Sequence, residues 1–123
     1  MSKVLIVEDE TLLSDAYAMV LSHNGYTTEV AANGIEALQK IEAFQPDIVL
    51  LDLLMPKMDG ITFLKTYQRN PATSPQIIVY SNLFDSKKEE EVKSLGAVGI
   101  VLKSSVTPAG LVELIAERLK QTA

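Results

Sequence analysis

The sequence predicts an α/β fold in which five parallel strands form one sheet and helices cover both of its faces. Five short apolar runs recur along the 123-residue chain, and segments with helical periodicity separate them. Four of the runs are dense in Val, Ile and Leu, a composition that is typical of strands buried between two helical layers. The chain length fits one domain, so we predict a single domain over residues 1–123.

The strands are predicted from the apolar runs. The second run is half polar, which predicts a strand at an edge of the sheet. Right-handed crossovers leave few topologies, and a five-strand domain of this length favours the flavodoxin-like strand order 2-1-3-4-5, a three-layer sandwich. The predicted strands are 3–7 (KVLIV), 26–30 (YTTEV), 47–51 (DIVLL), 76–80 (QIIVY) and 99–102 (GIVL).

The helices are predicted at 11–24, 34–44, 59–69, 85–95 and 107–121 from apolar residues at helical spacing. Tyr17 and Tyr67 are interpreted as ordinary aromatic residues of a helix surface or rim. The fifth helix begins with Thr107 as N-cap and Pro108 at the first helical position. The predicted buried stripes are Leu12, Leu13, Ala16, Met19 and Val20 in the first helix, Ile35, Leu38 and Ile41 in the second, Ile61, Leu64 and Tyr67 in the third, and Leu111, Leu114, Ile115 and Leu119 in the fifth.

The fourth helix has a thin apolar stripe, with Val92 and Leu95 as its large apolar residues. Ser86 and Glu89 have the spacing of a capping box at its start. Two interpretations stay open: a short exposed helix, or a surface that moves or binds a partner.

Composition excludes several classes of protein. There is no cysteine, which excludes a disulfide framework and thiolate metal sites. The formal net charge of -5 argues against direct nucleic-acid binding, which needs a clustered basic face. The N-terminal apolar run is too short for a signal peptide or a membrane span, so we expect a soluble cytoplasmic protein.

Polar residues follow four of the predicted strands directly. Glu8 and Asp9 follow the first strand, Asp52 the third, Ser81 the fourth and Lys103 the fifth. The carboxyl ends of parallel strands share one edge of the sheet, where ligands bind in such folds. We therefore expect all five side chains to converge at one site.

Three carboxylates at this edge require positive charge. Each pair repels by about 4 kcal/mol at about 4 Å and an effective dielectric of about 20, and one lysine does not offset all of it. Oxygen ligands without His or Cys favour a hard cation, and an open site that also takes phosphate oxygens suits Mg²⁺. With Ser81 as a hydroxyl donor and Lys103 as a fixed cation, Asp52 is predicted to be the nucleophile in phosphoryl transfer.

Each of these residues also has a simpler interpretation. Glu8 alone would be a solvated acid, Asp9 a helix cap and Ser81 a turn residue. Lys103 could form only a salt bridge with Asp52, the strongest of these alternatives. The agreement of four strand ends favours the phosphoryl-transfer interpretation.

The chain resembles the receiver domain of bacterial two-component response regulators. The motifs are VLIVEDE, IVLLDLLMPKMDG, IIVYSN and GIVLKSS, and the likeness runs from about residue 2 to residue 120. The resemblance implies a switch that accepts a phosphoryl group on Asp52 from a sensor kinase phosphohistidine or a small phosphodonor such as acetyl phosphate. It also implies Mg²⁺ held by Glu8, Asp9, Asp52 and the Leu54 backbone carbonyl, with Ser81 as the switch hydroxyl and Lys103 as the phosphate-binding lysine.

The sequence departs from the family pattern at four places. Glu8 stands where aspartate is common, Ser104 where proline is usual, and Ile100 where an aromatic switch residue is usual. Leu54 and Leu83 are apolar at the positions that flank the approach of water to the acyl phosphate. We expect the two leucines to prolong the phosphorylated state, and a double variant, Leu54→Asn with Leu83→Glu, that does not speed phosphoryl loss would contradict this.

The resemblance also implies partners. These are a sensor histidine kinase or phosphotransfer protein, and a downstream protein or output domain that binds the helix 4–strand 5–helix 5 face (85–121); a homodimer on phosphorylation is a further possibility. The alternative is a pseudo-receiver, a constitutive adaptor that is never phosphorylated. A phosphatase with an aspartyl nucleophile would need a second aspartate where Leu54 stands, and a flavodoxin would not place Glu8 and Asp9 beside a phosphate. We expect no metabolic enzyme activity and no membrane partner.

Overall fold

The computed structural model describes residues 2–53, 55, 57–67, 75–82 and 86–120. Within these residues, five parallel strands form one sheet in the order β2-β1-β3-β4-β5, which confirms the predicted topology and its half-polar edge strand. The strands are β1 (Lys3–Val7), β2 (Thr27–Ala31), β3 (Ile48–Asp52), β4 (Gln76–Ser81) and β5 (Ala97–Leu102).

In the described part of the chain, five α-helices connect or follow the strands, and each lies within a few residues of its predicted bounds. Asn33 and Asp59 cap the second and third helices, because their side chains accept hydrogen bonds from the N–H groups of Glu36 and Thr62. The helices are α1 (Thr11–His23), α2 (Gly34–Phe44), α3 (Gly60–Thr66), α4 (Ser86–Ser94) and α5 (Pro108–Lys120).

Alternating side chains of the central strands point to opposite faces of the sheet and build two apolar clusters. The cluster on the α1–α5 face combines strand residues with the buried sides of α1 and α5. The cluster on the α2–α4 face combines the other strand residues with α2, α3 and α4. The first contains Val4, Ile6, Ile48, Leu50, Ile78, Tyr80, Tyr17, Leu21, Leu111 and Ile115, and the second Leu5, Val7, Val49, Leu51, Ile77, Val79, Ala37, Ile41, Phe63, Leu64 and Val92.

The predicted buried stripe of α1 is partly wrong, although Leu13 packs against the cluster on the α1–α5 face. Leu12 is 89% exposed and Met19 is 60% exposed, whereas Ser14, Tyr17 and Leu21 are buried. Apolar residues surround much of this helix, so periodicity alone does not choose its inner face. The buried Ser14 hydroxyl is satisfied within the helix, because it donates to the Thr11 carbonyl at 3.1 Å.

The stripe of α2 is partly wrong, since Ile35 is 45% exposed while Gly34 and Ala37 are buried. A side chain at Gly34 would meet Met58 atoms at 2.7 Å, so the helix begins in close contact with the loop that precedes α3. Ile41 is buried and Leu38 packs against the same cluster, as predicted.

The structure confirms the predicted stripe and N-cap of α5 and the thin apolar stripe of α4. Leu111 and Ile115 are buried, Leu114 and Leu119 pack beside them, and the Thr107 hydroxyl accepts the Gly110 N–H at 3.0 Å. In α4, Val92 is the buried residue. Among the described residues, no helix has the length and apolar character needed to cross a membrane.

Candidate functional site at the carboxyl edge of the sheet

Strand register brings the predicted site residues to one edge of the sheet. Val7 pairs with Leu51, so Glu8 and Asp52 follow at the same level on neighbouring strands. Asp52 pairs with Tyr80, and Ser81, the last residue of β4, pairs with Leu102. A short 3₁₀ turn over Lys103–Ser105 then begins directly after β5.

The main chain around Asp52 is held by a close contact with the start of α3. A Cβ atom on Gly60 would lie 2.5 Å from the Asp52 carbonyl oxygen and 2.8 Å from the Leu53 Cα atom. The Gly60 N–H also donates to the Leu53 carbonyl at 3.0 Å. Glycine at this position therefore allows the helix to pack directly under the strand end that carries Asp52.

Lys103 joins two of the three predicted carboxylates. Its Nζ atom lies 2.6 Å from Glu8 Oε1 and 3.0 Å from Asp52 Oδ2. Glu8 is 1% exposed and Asp52 is 3% exposed, so both carboxylates depend on such partners in place of water. The interpretation of Glu8 as a solvated acid is therefore wrong.

Glu8 receives two further hydrogen bonds. The Tyr80 hydroxyl donates to Oε1 at 3.1 Å, and the Glu10 N–H donates to Oε2 at 3.1 Å. Burial alone would raise the pKa of Glu8, but the bonds from Lys103, Glu10 and Tyr80, with the charge of Lys103, outweigh it, so this pKa lies below the ordinary 4.5. The pKa of Lys103 is raised: its burial opposes the charged form, and Glu8 and Asp52 overcome that effect.

Asp9 lies in a different environment from its neighbour. It is exposed, and desolvation together with the adjacent Glu8 and Glu10 charges raises its pKa above the ordinary 3.8. The N-cap of α1 is Glu10, whose side chain makes no capping hydrogen bond, so the structure does not support the helix-cap interpretation of Asp9. Lys103 thus compensates the buried pair while the Asp9 charge adds to the negative potential of the site.

The acid group fits a hard divalent cation. Glu8, Asp9 and Asp52 each offer a carboxylate oxygen, and these oxygens lie within 4.8 Å of one another. Oxygen donors at this spacing suit Mg²⁺ or Ca²⁺, and the exposed Asp9 leaves the group accessible from solvent. The sequence predicted such a site for a hard cation from the carboxylates that follow the strands.

Tyr80 is the site residue that the sequence prediction missed. It is fully buried, and burial followed by the Glu8 charge raises the pKa of its phenol far above the ordinary 10.0, so the hydroxyl remains a donor. Its ring meets that of Tyr17 edge to face, with centroids 5.8 Å apart, so Tyr17 is a core residue rather than a surface one. A signal was present, because a phenol inside a buried strand needs a hydrogen-bond partner and the strand-end acids were the nearest ones.

Of the remaining predicted residues, Ser81 and Ile100 lie within the described part of the chain. Ser81 is buried, and alternation along β4 puts it on the side of Val79, towards the α2–α4 face. Ile100 pairs with Val79 and packs partly buried against the same face. Leu54 and Leu83 lie outside the described residues. The chemical roles of all these residues stay predictions.

Comparison with protein families gives one clear match. A family model described as the response regulator receiver domain matches residues 4–116. Among curated proteins, a protein-glutamate methylesterase/protein-glutamine glutaminase of Rhodospirillum rubrum is 39% identical over 98% of this chain and 32% of its own length. The alkaline phosphatase synthesis transcriptional regulatory protein SphR of Synechococcus elongatus is 32% identical over 94% of this chain and 46% of its own length. The chain thus spans less than half of these two relatives.

Solved structures show the same architecture. A CheY-like response regulator receiver domain from Methanospirillum hungatei matches with a TM-score of 0.89 and 30% identity, over 98% of this chain and 95% of that one. The receiver domain of the Francisella response regulator 1452 matches with a TM-score of 0.88 and 27% identity, over the full length of both chains.

Proposed function

The chain belongs to the response regulator receiver domain family, and we propose that it is a signalling switch that is phosphorylated on Asp52. The phosphoryl donor would be the phosphohistidine of a sensor histidine kinase or phosphotransfer protein, or a small phosphodonor. The observation that carries the proposal is the position of Lys103. Its charged ammonium group bridges Glu8 and Asp52 at the edge of the sheet where the three acids meet.

The chemistry would proceed by in-line attack of an Asp52 carboxylate oxygen on phosphorus, while the bond to the donor nitrogen or oxygen breaks. Lys103 lies close enough to Asp52 to pair with a phosphoryl oxygen, and Ser81 would donate a hydroxyl to another. Glu8, Asp9 and Asp52, with the Leu54 carbonyl as the predicted further ligand, would hold Mg²⁺, which supplies positive charge against the phosphoryl oxygens.

The alternative is a pseudo-receiver that works as a protein-binding adaptor without phosphorylation. Ile100 favours this alternative, because it has no aromatic ring to change position when Asp52 is modified. In the proposed switch, the signal would instead pass through Ser81 and the helix 4–strand 5–helix 5 face, now bounded by α4, β5 and α5.

We propose that this face binds a downstream protein or an output domain, and that it could also support a homodimer after phosphorylation. The curated relatives carry names of a methylesterase and of a transcriptional regulator, and those activities are theirs. For this chain we propose a regulatory role in the cytoplasm rather than turnover of a metabolite. The lifetime effect of Leu54 and Leu83 stays a prediction.

The test is incubation with acetyl phosphate and MgCl₂ followed by intact-mass measurement. We expect one added phosphoryl group on the wild type, and none on Asp52→Asn or in the presence of EDTA. Asp47→Asn is the matched control, since Asp47 is an exposed aspartate just before β3, at the opposite, amino edge of the sheet, and it should label like the wild type. A folded wild type that gains no phosphoryl group would favour the pseudo-receiver.

A further inference from the structure

Tyr80 touches both members of the buried ion pair. Its hydroxyl donates to Glu8 Oε1 at 3.1 Å, and the centroid of its ring lies 5.1 Å from the Lys103 Nζ atom. The ring also contacts that of Tyr17 edge to face. A single side chain therefore orients the glutamate through a hydrogen bond and the lysine through its ring face.

The hydrogen bonds of Glu8 leave little acceptor capacity for another partner. A carboxylate has about four lone-pair sites. Oε1 accepts from Tyr80 and Lys103, and Oε2 accepts from the Glu10 N–H. A cation that binds Glu8 directly must therefore share the carboxylate with these donors or displace one of them.

The three donors differ in how readily they can yield. The Glu10 N–H belongs to the main chain at the start of α1, and Lys103 also bonds to Asp52 and has a second anion to pair with. The Tyr80 hydroxyl lies inside the core, where Glu8 is the acceptor that the structure gives it. Loss of this bond would leave a buried hydroxyl without its acceptor, which is costly.

We propose that Tyr80 is a positioning residue whose hydroxyl holds Glu8 on the Lys103 side of the site and thereby weakens the binding of a divalent cation by the acid group. The inference rests on the proposed function, since it assigns Mg²⁺ to that group. In this arrangement the cation competes with the donors of Tyr80, Lys103 and Glu10 for the Glu8 carboxylate. Tyr80, which is not itself a ligand of the cation, then influences the Mg²⁺ concentration at which the site fills.

The test is calorimetric titration of the unphosphorylated protein with MgCl₂. Tyr80→Phe keeps the ring over Lys103 and against Tyr17 but removes the hydroxyl, and we expect its Kd for Mg²⁺ to fall about fivefold, the effect of one ordinary hydrogen bond. Tyr26→Phe removes a phenol hydroxyl from a half-buried tyrosine just before β2, at the opposite edge of the sheet, and should leave the Kd unchanged.

A double-mutant cycle separates positioning from general loosening of the fold. Glu8→Asp shortens the side chain by one methylene and withdraws the carboxylate from the Tyr80 hydroxyl. In that background, Tyr80→Phe should change the Kd by less than about twofold. A merely structural role for Tyr80 would give the same change in both backgrounds.

The outcomes distinguish this inference from the proposed function. An unchanged or weaker Kd in Tyr80→Phe, with Asp52 still phosphorylated by acetyl phosphate, overturns the inference alone. A wild type that binds no Mg²⁺ overturns both the inference and the metal-dependent switch. A tighter Kd in Tyr80→Phe that disappears in the Glu8→Asp background supports the inference even if no phosphodonor labels Asp52.

Discussion

The two faces of the sheet support the same aspartate in different ways. On the α2–α4 face, Gly60 brings α3 into direct contact with the main chain of Asp52, among aliphatic residues and Phe63. On the α1–α5 face, Tyr80 and Tyr17 lie beneath a network of charges that holds the Asp52 side chain through Lys103. One face fixes the position of the backbone by shape, and the other fixes the carboxylate by electrostatics.

This difference indicates how a switch can be divided between two faces. Glu8 and Lys103 are joined on the tyrosine side, where Glu8 accepts from the Tyr80 hydroxyl and pairs with the Lys103 ammonium group. Ser81 and Ile100 belong to the aliphatic side, where contacts depend on volume. In the proposed switch, a movement of Ser81 would therefore change packing on the aliphatic side. The two faces should respond to different kinds of substitution.

The largest combined effect on stability and phosphorylation is expected at Gly60. Gly60→Ala would place a methyl group within 3 Å of the Asp52 and Leu53 main chain, which cannot move aside as a flexible side chain would. We expect the free energy of unfolding to fall by about 1–3 kcal/mol, the usual cost of overpacking. Displacement of Asp52, the proposed nucleophile, should also slow phosphorylation by acetyl phosphate on the order of 10²-fold. Urea denaturation and labelling rates measure the two effects.

Gly99→Ala is the control for this substitution. Its added methyl group would meet its nearest neighbours, Arg118 and Ile78, at 3.6–3.8 Å, which is ordinary van der Waals contact. Because glycine inside a strand costs about 0.5–1 kcal/mol relative to alanine, stability should be unchanged or slightly higher. Equal losses at Gly60 and Gly99 would show that the aliphatic face does not hold the Asp52 main chain by close contact.

An intermediate effect is expected from acid on the charged face. The pKa of Glu8 in the folded protein lies below its ordinary 4.5, so ionised Glu8 contributes stability above pH 4.5. That contribution should be lost as the pH falls below 4.5 through the folded-state pKa. Its slope is at most about 1.4 kcal/mol per pH unit for one proton.

Metal-free wild type and Glu8→Gln, unfolded in urea from pH 7 to pH 3 with EDTA present, measure this contribution. The difference in unfolding free energy between the two proteins should shrink below pH 4.5. Glu42→Gln, which removes a glutamate from the exposed side of α2, provides the charge-matched baseline. A difference that stays constant down to pH 3 would mean that the charged face does not depend on ionised Glu8.

The smallest effect is expected on the outer side of α1. Leu12→Ala removes a side chain that is 89% exposed, so the free energy of unfolding should change by no more than about 0.5 kcal/mol. Leu21→Ala is the same substitution in the same helix at a fully buried position, and it should cost about 2–5 kcal/mol. If urea denaturation gave a larger loss of stability for Leu12→Ala than for Leu21→Ala, the buried stripe that periodicity predicted for α1 would be correct.

The sequence was sufficient where geometry follows from topology. Once the strands were identified, parallel order placed Glu8, Asp52 and Lys103 at one edge whatever the details of packing. It was insufficient where several side chains could fill the same space. A phenol is compatible with both a helix surface and a core, and the contact of Tyr17 with Tyr80 decides between the two environments. The bridging by Lys103 depends on side-chain conformations that no spacing in the sequence specifies.

The paired tyrosines have a spectroscopic consequence. The chain contains four tyrosines and no tryptophan, so its near-ultraviolet emission comes from phenols alone. One of the four donates a hydrogen bond to a carboxylate and a second packs against its ring, an arrangement in which emission depends on the hydrogen bond. Any event that draws Glu8 away from Tyr80 changes the environment of half of the chromophores in the protein. The molecule thus contains a built-in optical probe of its own acid site, and no dye needs to be attached.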